Sequence, residues 1–200
     1  MSAPEDIVEA RTRILDAAKR SFEARGVLKA TVEDIARAAQ VSRATVYRYF
    51  ADRDAILLGV LLRDTDQYLC RARARIERQP TLGAAILEFV DLTARAATRD
   101  VSLGMLFAGE EARATGGIVA GASAALFERV EEFFRPMFLR WSSQVRPGVD
   151  AGEASEWILR VLLSQLTVEG PRRRSAAAQR AYVERFLLPA VVCSDGDADR

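Results

Sequence analysis

Apolar residues recur along this chain at spacings of three and four, the pattern of amphipathic helices, and no segment alternates as a half-buried strand does. A first helix is predicted over residues 7–25, with Gly26 as its stop. The glycine pair 116–117 separates two later helices, and residues 81–98 are apolar nearly all round, as in the centre of a bundle. Further helices are predicted over residues 52–78, 81–98, 101–114, 118–143, 150–169 and 176–192.

Two short helices joined by a tight turn are predicted between residues 31 and 50. Thr31 is placed to cap the first, with Asp34 as the acidic partner of a capping box. Residues 40–41 form the turn, and Ser42 caps the second helix. The apolar stripe of the first helix consists of Val32, Ile35, Ala36 and Ala39. This order is typical of a helix-turn-helix.

The second of these helices has distinct inner and outer faces on a helical wheel. Val46 and Phe50 fall together and are predicted to face the apolar stripe, while Arg43 and Tyr47 fall at the border. The outer face is predicted to consist of Ala44, Thr45, Arg48 and Tyr49. Small and hydrogen-bonding side chains of this kind suit the major groove of DNA, although an ordinary solvated helix face would have the same pattern.

The order of residues in this region resembles that of the TetR/AcrR family of transcriptional regulators. The matching segments are RILDAA (13–18), Phe22, Gly26 and TVEDIARAAQVSRATVYRYF followed by ADRDAIL (31–57). The resemblance implies an all-α fold in which an N-terminal three-helix DNA-binding domain (residues 1–51) precedes a helical ligand-binding and dimerisation domain (52–193). The acidic tail, 194–200, is expected to be disordered.

The resemblance also implies roles for residues of the predicted recognition helix. Thr45 matches a position that touches bases or backbone, Tyr47 a phosphate-binding tyrosine, and Tyr49 a position that reads or packs against the groove. Arg43 and Ala44 match positions that vary with the operator. Arg48 joins the expected DNA-binding residues because the wheel directs it outward. For Tyr47, partial packing in the core is the alternative.

Two further phosphate contacts are implied outside the recognition helix. Thr31 matches a phosphate contact at a helix N-terminus, where backbone N–H groups favour an anion. Arg53 stands where the family usually has lysine and keeps the positive charge, although a plain surface charge is the alternative.

The resemblance implies that the last two long helices pair with those of a second copy, so that two recognition helices enter successive major grooves about 34–36 Å apart. The expected interface residues are Trp157, Val161, Leu162, Leu166, Tyr182 and Phe186, with Ala178 on the same surface. Filling of the monomer core is the alternative for all of them. An interface would account for their broad apolar surface.

Family members bind small molecules between the helices of this domain. The candidate lining residues are Phe89, Met105, Phe107, Phe133, Phe134, Phe138 and Trp141, which favour a hydrophobic effector. For each of them, core filling is the more common role of an aromatic stripe. Glu110–Glu111 and Arg172–Arg174 would suit charged effectors, although solvated surface is the simpler interpretation.

Composition narrows the function. The net charge of +1 does not by itself indicate a nucleic-acid binder, so a local patch must provide the contact. Histidine is absent, and no glycine-rich phosphate loop or aspartate-rich metal motif occurs, which argues against an enzyme, a metal site or a cofactor. Cys70 and Cys193 are predicted to be buried small hydrophobes. The polar N-terminus and the lack of a long apolar run predict a cytoplasmic protein without a membrane span.

These observations predict a homodimeric regulator, most often a repressor, that leaves a palindromic double-stranded DNA operator when a small molecule binds. The alternative is a chromosome-organising or division-control protein with the same fold and no effector. Ligand-induced release from DNA and the number of genomic sites distinguish the two.

Overall fold

The computed structural model describes residues 4–99, 109–168, 170–172 and 174–193, and it describes side chains for residues 7–97, 124–168, 170–172 and 174–193. This part of the chain is all-α, as predicted. Its helices are α1 (Pro4–Arg25), α2 (Val32–Ala38), α3 (Arg43–Tyr49), α4 (Arg53–Glu77), α5 (Leu82–Arg99), α6 (Gly109–Arg140), α7 (Ala151–Thr167) and α8 (Ala176–Val191), with a 3₁₀ turn at Ser142–Gln144.

Several helix ends are set by the residues that the sequence indicates. Gly26 ends α1 with a φ of +84°, and its N–H donates to the Phe22 carbonyl at 2.8 Å. Such a left-handed residue is what glycine accommodates after a helix. Asp52 accepts the Ala55 N–H at 2.7 Å at the start of α4. Asp150 accepts backbone N–H groups in the first turn of α7. The predicted stop and starts at these positions are confirmed.

The predicted break at Gly116–Gly117 is wrong. Helix α6 continues from Gly109 to Arg140 through both glycines. A glycine in a helix interior costs only about 1 kcal/mol relative to alanine, which flanking helix formers can offset. Residues 101–108 of the predicted helix 101–114, and the tail 194–200, lie outside the described residues.

The chain divides into two compact units. The first contains residues 1–65 and 100–122, and the second contains residues 66–99 and 123–200. Helices α4 and α6 each contribute residues to both. The domain boundary predicted between residues 51 and 52 lies just before α4, which begins at Arg53, whereas the compact units divide within α4, between Thr65 and Asp66, so that boundary stays a prediction.

The first unit has an apolar core formed by α1–α3 and the beginning of α4. Ile14, Ile35 and Val46 are fully buried there, as is Ile56 of α4.

A charged cluster also links α1 to α4. Asp64 accepts the Lys19 Nζ at 2.7 Å and the Nε and Nη2 of Arg63 at 3.1 and 3.0 Å, while Arg63 Nη1 donates to Asp16 at 2.7 Å. These contacts bind the two helices together within the unit.

In the second unit, α5 is buried nearly all round, as its apolar pattern predicts, and it contacts α7 and α8. The carboxyl end of α8 is held beside the 3₁₀ turn, because Arg146 N–H donates to the Val191 carbonyl and Cys193 N–H donates to the Gln144 carbonyl, both at 2.9 Å. The Gln144 side chain also accepts the Leu82 N–H at 2.8 Å.

The cysteine prediction is wrong for Cys70, which is exposed on α4, and Cys193 is half-buried. Cys70 lies off the buried stripe of α4, which contains Leu69, Ala72 and Ile76. Among the described residues, no helix combines the length and the apolar character that crossing a bilayer requires. Nor does the described part of the chain gather three or more potential metal ligands in one place.

Candidate nucleic-acid interface

The turn between α2 and α3 is held by a closed set of backbone hydrogen bonds. Val41 N–H donates to the Ala36 carbonyl at 3.0 Å and Gln40 N–H to the Arg37 carbonyl at 3.2 Å. This pair of bonds is a Schellman motif, in which the residue after the helix adopts left-handed geometry. Gln40 adopts it with a φ of +57°. The direction of α3 is therefore fixed relative to α2.

Helix α3 is anchored at its start by Ser42 and along its inner side by two apolar residues. Thr45 N–H donates to the Ser42 Oγ at 3.0 Å, which confirms the predicted cap. Val46 and Phe50 are buried in the core of the first unit, as predicted. Because both lie on one side of the helix, the opposite side is left for contacts outside the unit.

The outer side of α3 differs in part from the wheel. Arg43, Ala44, Tyr47 and Arg48 are exposed, but Thr45 and Tyr49 are half-buried. The Thr45 hydroxyl lies 2.9 Å from the Ser42 hydroxyl, so the cap covers it in part.

Tyr49 packs against the core of the first unit, and its hydroxyl accepts a hydrogen bond from the Arg48 guanidinium at 3.4 Å. Tyr47, by contrast, is 45% exposed, so its side chain does not pack in the core, which was the alternative for this residue.

Arg43 is held by two neighbours. Its Nη1 pairs with the carboxylate of Glu33, in the first turn of α2, and its guanidinium carbon lies 5.9 Å from the centre of the Tyr47 ring. A side-chain hydrogen bond with Tyr47, together with the charge of Glu33, raises the pKa of Arg43. The arginine is therefore a fixed positive charge at the first position of α3.

Thr31 uses its side chain in the capping box. Its hydroxyl accepts the Asp34 N–H at 3.2 Å and donates to the Asp34 carboxylate at 2.8 Å. The Thr31 hydroxyl and the Thr31 backbone N–H both donate to the Asp34 carboxylate and lower its pKa, and Arg25 and Arg37 lower it further. The capping box is confirmed, while the phosphate contact of Thr31 stays a prediction.

Arg53 is folded back onto its own unit. Its Nε donates to the Ala30 carbonyl at 2.8 Å and its guanidinium carbon lies 5.9 Å from the centre of the Phe22 ring. Its Nη2 is buried and has no hydrogen-bond partner among the described residues. Arg53 thus ties the start of α4 to the loop before α2 rather than standing as a plain surface charge.

In the second unit, α7 and α8 present aromatic side chains at the surface. Trp157 is 45% exposed and Phe186 is 61% exposed, and the Tyr182 ring lies 4.8 Å from that of Phe186. Arg174 lies 4.1 Å above the Tyr182 ring. Ala178 is also exposed.

The other residues expected at an interface are less accessible. Val161 and Leu166 are half-buried, and Leu162 is only 2% exposed. Leu162 lies about 140° around α7 from Trp157, on the side that packs inward. It therefore belongs to the core of the protomer, and the expectation that it meets a second copy needs this correction.

The aromatic residues expected to line a ligand site pack on one another. Phe89 and Phe134 meet edge to face at 4.9 Å, Phe133 lies 5.4 Å from Phe134, and Phe138 lies 6.0 Å from it. All four are buried, as is Trp141, so they fill the core of the second unit. Two further candidates, Met105 and Phe107, lie outside the described residues, and so do the side chains of Glu110 and Glu111.

Comparison with known families tests the helix-turn-helix directly. Residues 14–60 match the family described as bacterial regulatory proteins, tetR family. The matched span begins in α1 and ends in α4, so it contains all of α2, the turn and α3. Residues 14–60 form a TetR-family helix-turn-helix domain. A TetR-family protein with this motif binds DNA and regulates transcription.

Similarity to other transcriptional regulators extends along most of the chain. An uncharacterised helix-turn-helix transcriptional regulator of Mycobacterium tuberculosis, Rv1255c, is 29% identical over 182 residues, covering 91% of this chain and 85% of its own. A TetR-family regulator from Pectobacterium atrosepticum has the same fold, with a TM-score of 0.71 at 17% identity over 96% of this chain and 99% of its own. The fold also matches FadR of Bacillus subtilis, solved with stearoyl-CoA, with a TM-score of 0.57 at 19% identity over 90% and 98%.

Sequence reasoning missed one residue of this TetR-family interface. Glu33 of α2 contacts Arg43 of α3, which lies ten residues later in the sequence and on a different helix. No spacing rule for a single helix predicts such a pair, because it depends on how the turn orients the two helices. The neighbouring residue Asp34 was predicted, because a capping box has a fixed spacing within one helix start.

Proposed function

We propose that this protein is a homodimeric repressor that binds a palindromic operator through α3 and leaves it when a small hydrophobic molecule binds. The observation that carries the proposal is the outer side of α3, where Arg43, Ala44, Tyr47 and Arg48 are exposed on a helix fixed by its cap, its core contacts and the turn before it. Arginine and tyrosine are suited to base edges and phosphates, and Ala44 permits close approach to the groove.

The surface of α7 and α8 supports dimerisation. Trp157, Tyr182 and Phe186 are large aromatic residues that remain exposed in a single copy, although full burial of a large apolar side chain is worth about 1.5–3 kcal/mol. A two-fold interface would place the same patch of two copies against each other. The two α3 helices of such a dimer would each bind one half-site, which accounts for a palindromic operator.

Support for a hydrophobic effector comes from the second unit. Its core contains the Phe89, Phe133, Phe134 and Phe138 rings, which would form an apolar lining if a ligand separated them. The FadR protein of B. subtilis, which shares this fold, was solved with stearoyl-CoA. We therefore assign the effector to the class of hydrophobic or amphipathic molecules.

The DNA-binding part is tested with duplexes that the wild-type protein selects from a random pool. Tyr47→Phe is expected to weaken binding about fivefold, the effect of one lost hydrogen bond of about 1 kcal/mol, without a change in the thermal unfolding midpoint. Arg48→Ala is expected to change the preferred base at one position of each half-site. If both variants select and bind the wild-type sequence with wild-type affinity, α3 is not the recognition helix.

Dimerisation is tested by Phe186→Glu in sedimentation equilibrium. A buried carboxylate at the centre of an apolar interface is strongly unfavourable, so the variant is expected to be monomeric and to lose operator binding. Leu139→Glu is the matched control, because Leu139 is exposed on α6 and is not part of the α7–α8 surface. A dimeric Phe186→Glu protein would contradict the proposed interface.

Effector release is tested by adding stearoyl-CoA or stearate to the operator complex. A titratable loss of DNA binding supports the proposed class. If neither these nor a wider panel of apolar compounds shifts the affinity, and the protein occupies many genomic sites, a chromosome-organising role without an effector is the better description.

A further inference from the structure

An acidic residue lies within the surface that has to approach DNA. The side chain of Glu33 is 45% exposed and that of its partner Arg43 is 56% exposed, so their ion pair is at the surface rather than in the core. A carboxylate in this position repels DNA phosphates, which carry one negative charge per about 1.7 Å of duplex. Its presence on a DNA-binding face therefore requires a physical explanation.

Helix capping does not provide the explanation. The capping box of α2 is formed by Thr31 and Asp34, and both of its hydrogen bonds are made without Glu33. What distinguishes Glu33 is its contact with Nη1 of Arg43, on the neighbouring helix.

We propose that Glu33 is a specificity-determining residue that positions Arg43 for a base edge and restrains it from turning to a phosphate. This inference rests on the proposed role of α3 as the recognition helix. A guanidinium has five N–H donors in a planar fork. With Nη1 on Glu33, the Nε and Nη2 edge can meet the N7 and O6 acceptors of guanine once the hydrogen bond between Arg43 and Tyr47 is released.

The same ion pair discriminates between cognate and random DNA. On a cognate site Arg43 can bond to guanine while it keeps Glu33, so the carboxylate stays neutralised. On random DNA the best partner for Arg43 is a phosphate, and reaching it means leaving Glu33 unpaired beside the polyanion. An exposed ion pair is a weak interaction, so it biases Arg43 without locking it. Glu33 should therefore weaken binding to random DNA more than binding to the operator.

The test compares Glu33→Gln with the wild type on a selected operator duplex and on a scrambled duplex of the same length, across a range of salt concentrations. Random-duplex affinity is expected to rise about fivefold, and the slope of log affinity against log salt to steepen by about 0.9, the value for one added phosphate contact. Operator affinity is expected to change less than twofold, and the preference for guanine at one position to weaken.

Two further variants identify the cause. In an Arg43→Gln background there is no arginine to release, so Glu33→Gln removes only the repulsion between the carboxylate and the phosphates. It is then expected to raise operator and random-duplex affinity by the same factor and to leave their ratio unchanged. Glu132→Gln, which makes the same charge change at an exposed position of the second unit, is expected to leave both affinities as in the wild type.

The inference is overturned if Glu33→Gln leaves random-duplex affinity and salt slope unchanged, or if it still changes the ratio of operator to random-duplex affinity when Arg43 is absent. In either case the proposed role of α3 would stand, provided that wild-type binding is sequence-selective. A wild-type protein that binds operator and scrambled duplexes equally would overturn the role of α3 and this inference together.

Discussion

Asp64 is a buried charge at the junction of α1 and α4, and its replacement by asparagine measures how strongly these helices are joined. Its side chain is 5% exposed and accepts three charge-assisted hydrogen bonds, one from Lys19 and two from Arg63. Removal of one partner of a fully buried ion pair costs about 3–5 kcal/mol. Here Lys19 and Arg63 keep some contact with water, with 28% and 18% of their side chains exposed, so we expect Asp64→Asn to cost about 2–3 kcal/mol.

Urea unfolding followed by far-ultraviolet circular dichroism measures this loss, and the thermal midpoint should fall by about 5–10 °C. Both tryptophans, Trp141 and Trp157, lie in the second unit, so their fluorescence monitors that unit separately. Asp16→Asn is the matched control, because Asp16 is exposed and pairs with Nη1 of Arg63 at the surface, and it should cost less than about 1 kcal/mol. If Asp64→Asn costs no more than Asp16→Asn, the cluster behaves as a surface ion pair and our reasoning about its burial is wrong.

Two further predictions concern single side chains. Burial raises the pKa of Tyr68 to about 12, so one of the four tyrosines should ionise near that pH in an absorbance titration, and this late phase should be absent in Tyr68→Phe. Because the folded protein holds this proton more tightly than the unfolded chain, whose tyrosine pKa is about 10, the stability from Tyr68 is complete below pH 10 and is lost between pH 10 and 12. Gln40→Gly should raise the free energy of unfolding by about 0.5 kcal/mol, because relief of the strain of a left-handed non-glycine residue outweighs the added entropy of the unfolded chain. A destabilised variant would show that the Gln40 side chain makes a stabilising contact of its own.

Local signals in the sequence were sufficient for the part of the fold that reads DNA. The caps at Thr31 and Ser42 and the inward positions of Val46 and Phe50 depend on neighbours within a few residues, so spacing alone predicts them correctly. Glu33 was missed because its contact crosses between two helices.

The errors elsewhere have equally local causes. The break at Gly116–Gly117 was predicted from a propensity too weak to stop a helix of 32 residues. Cys70 was assigned to the interior from its residue type, whereas its position on α4 places it one step off the buried stripe. The effector could not be predicted, because aromatic residues such as Phe89 and Phe134 have the same sequence pattern whether they line a site or fill a core.

The exposure of Cys70 makes this protein convenient to label. The thiol of Cys193 is half-buried and donates to the Val145 carbonyl at 3.3 Å, so Cys193→Ser would leave one accessible attachment point, on α4. A maleimide dye there would sit on the helix that contributes to both compact units, and its emission could be recorded while compounds are added. Candidate inducers could then be screened by fluorescence before any promoter sequence is known.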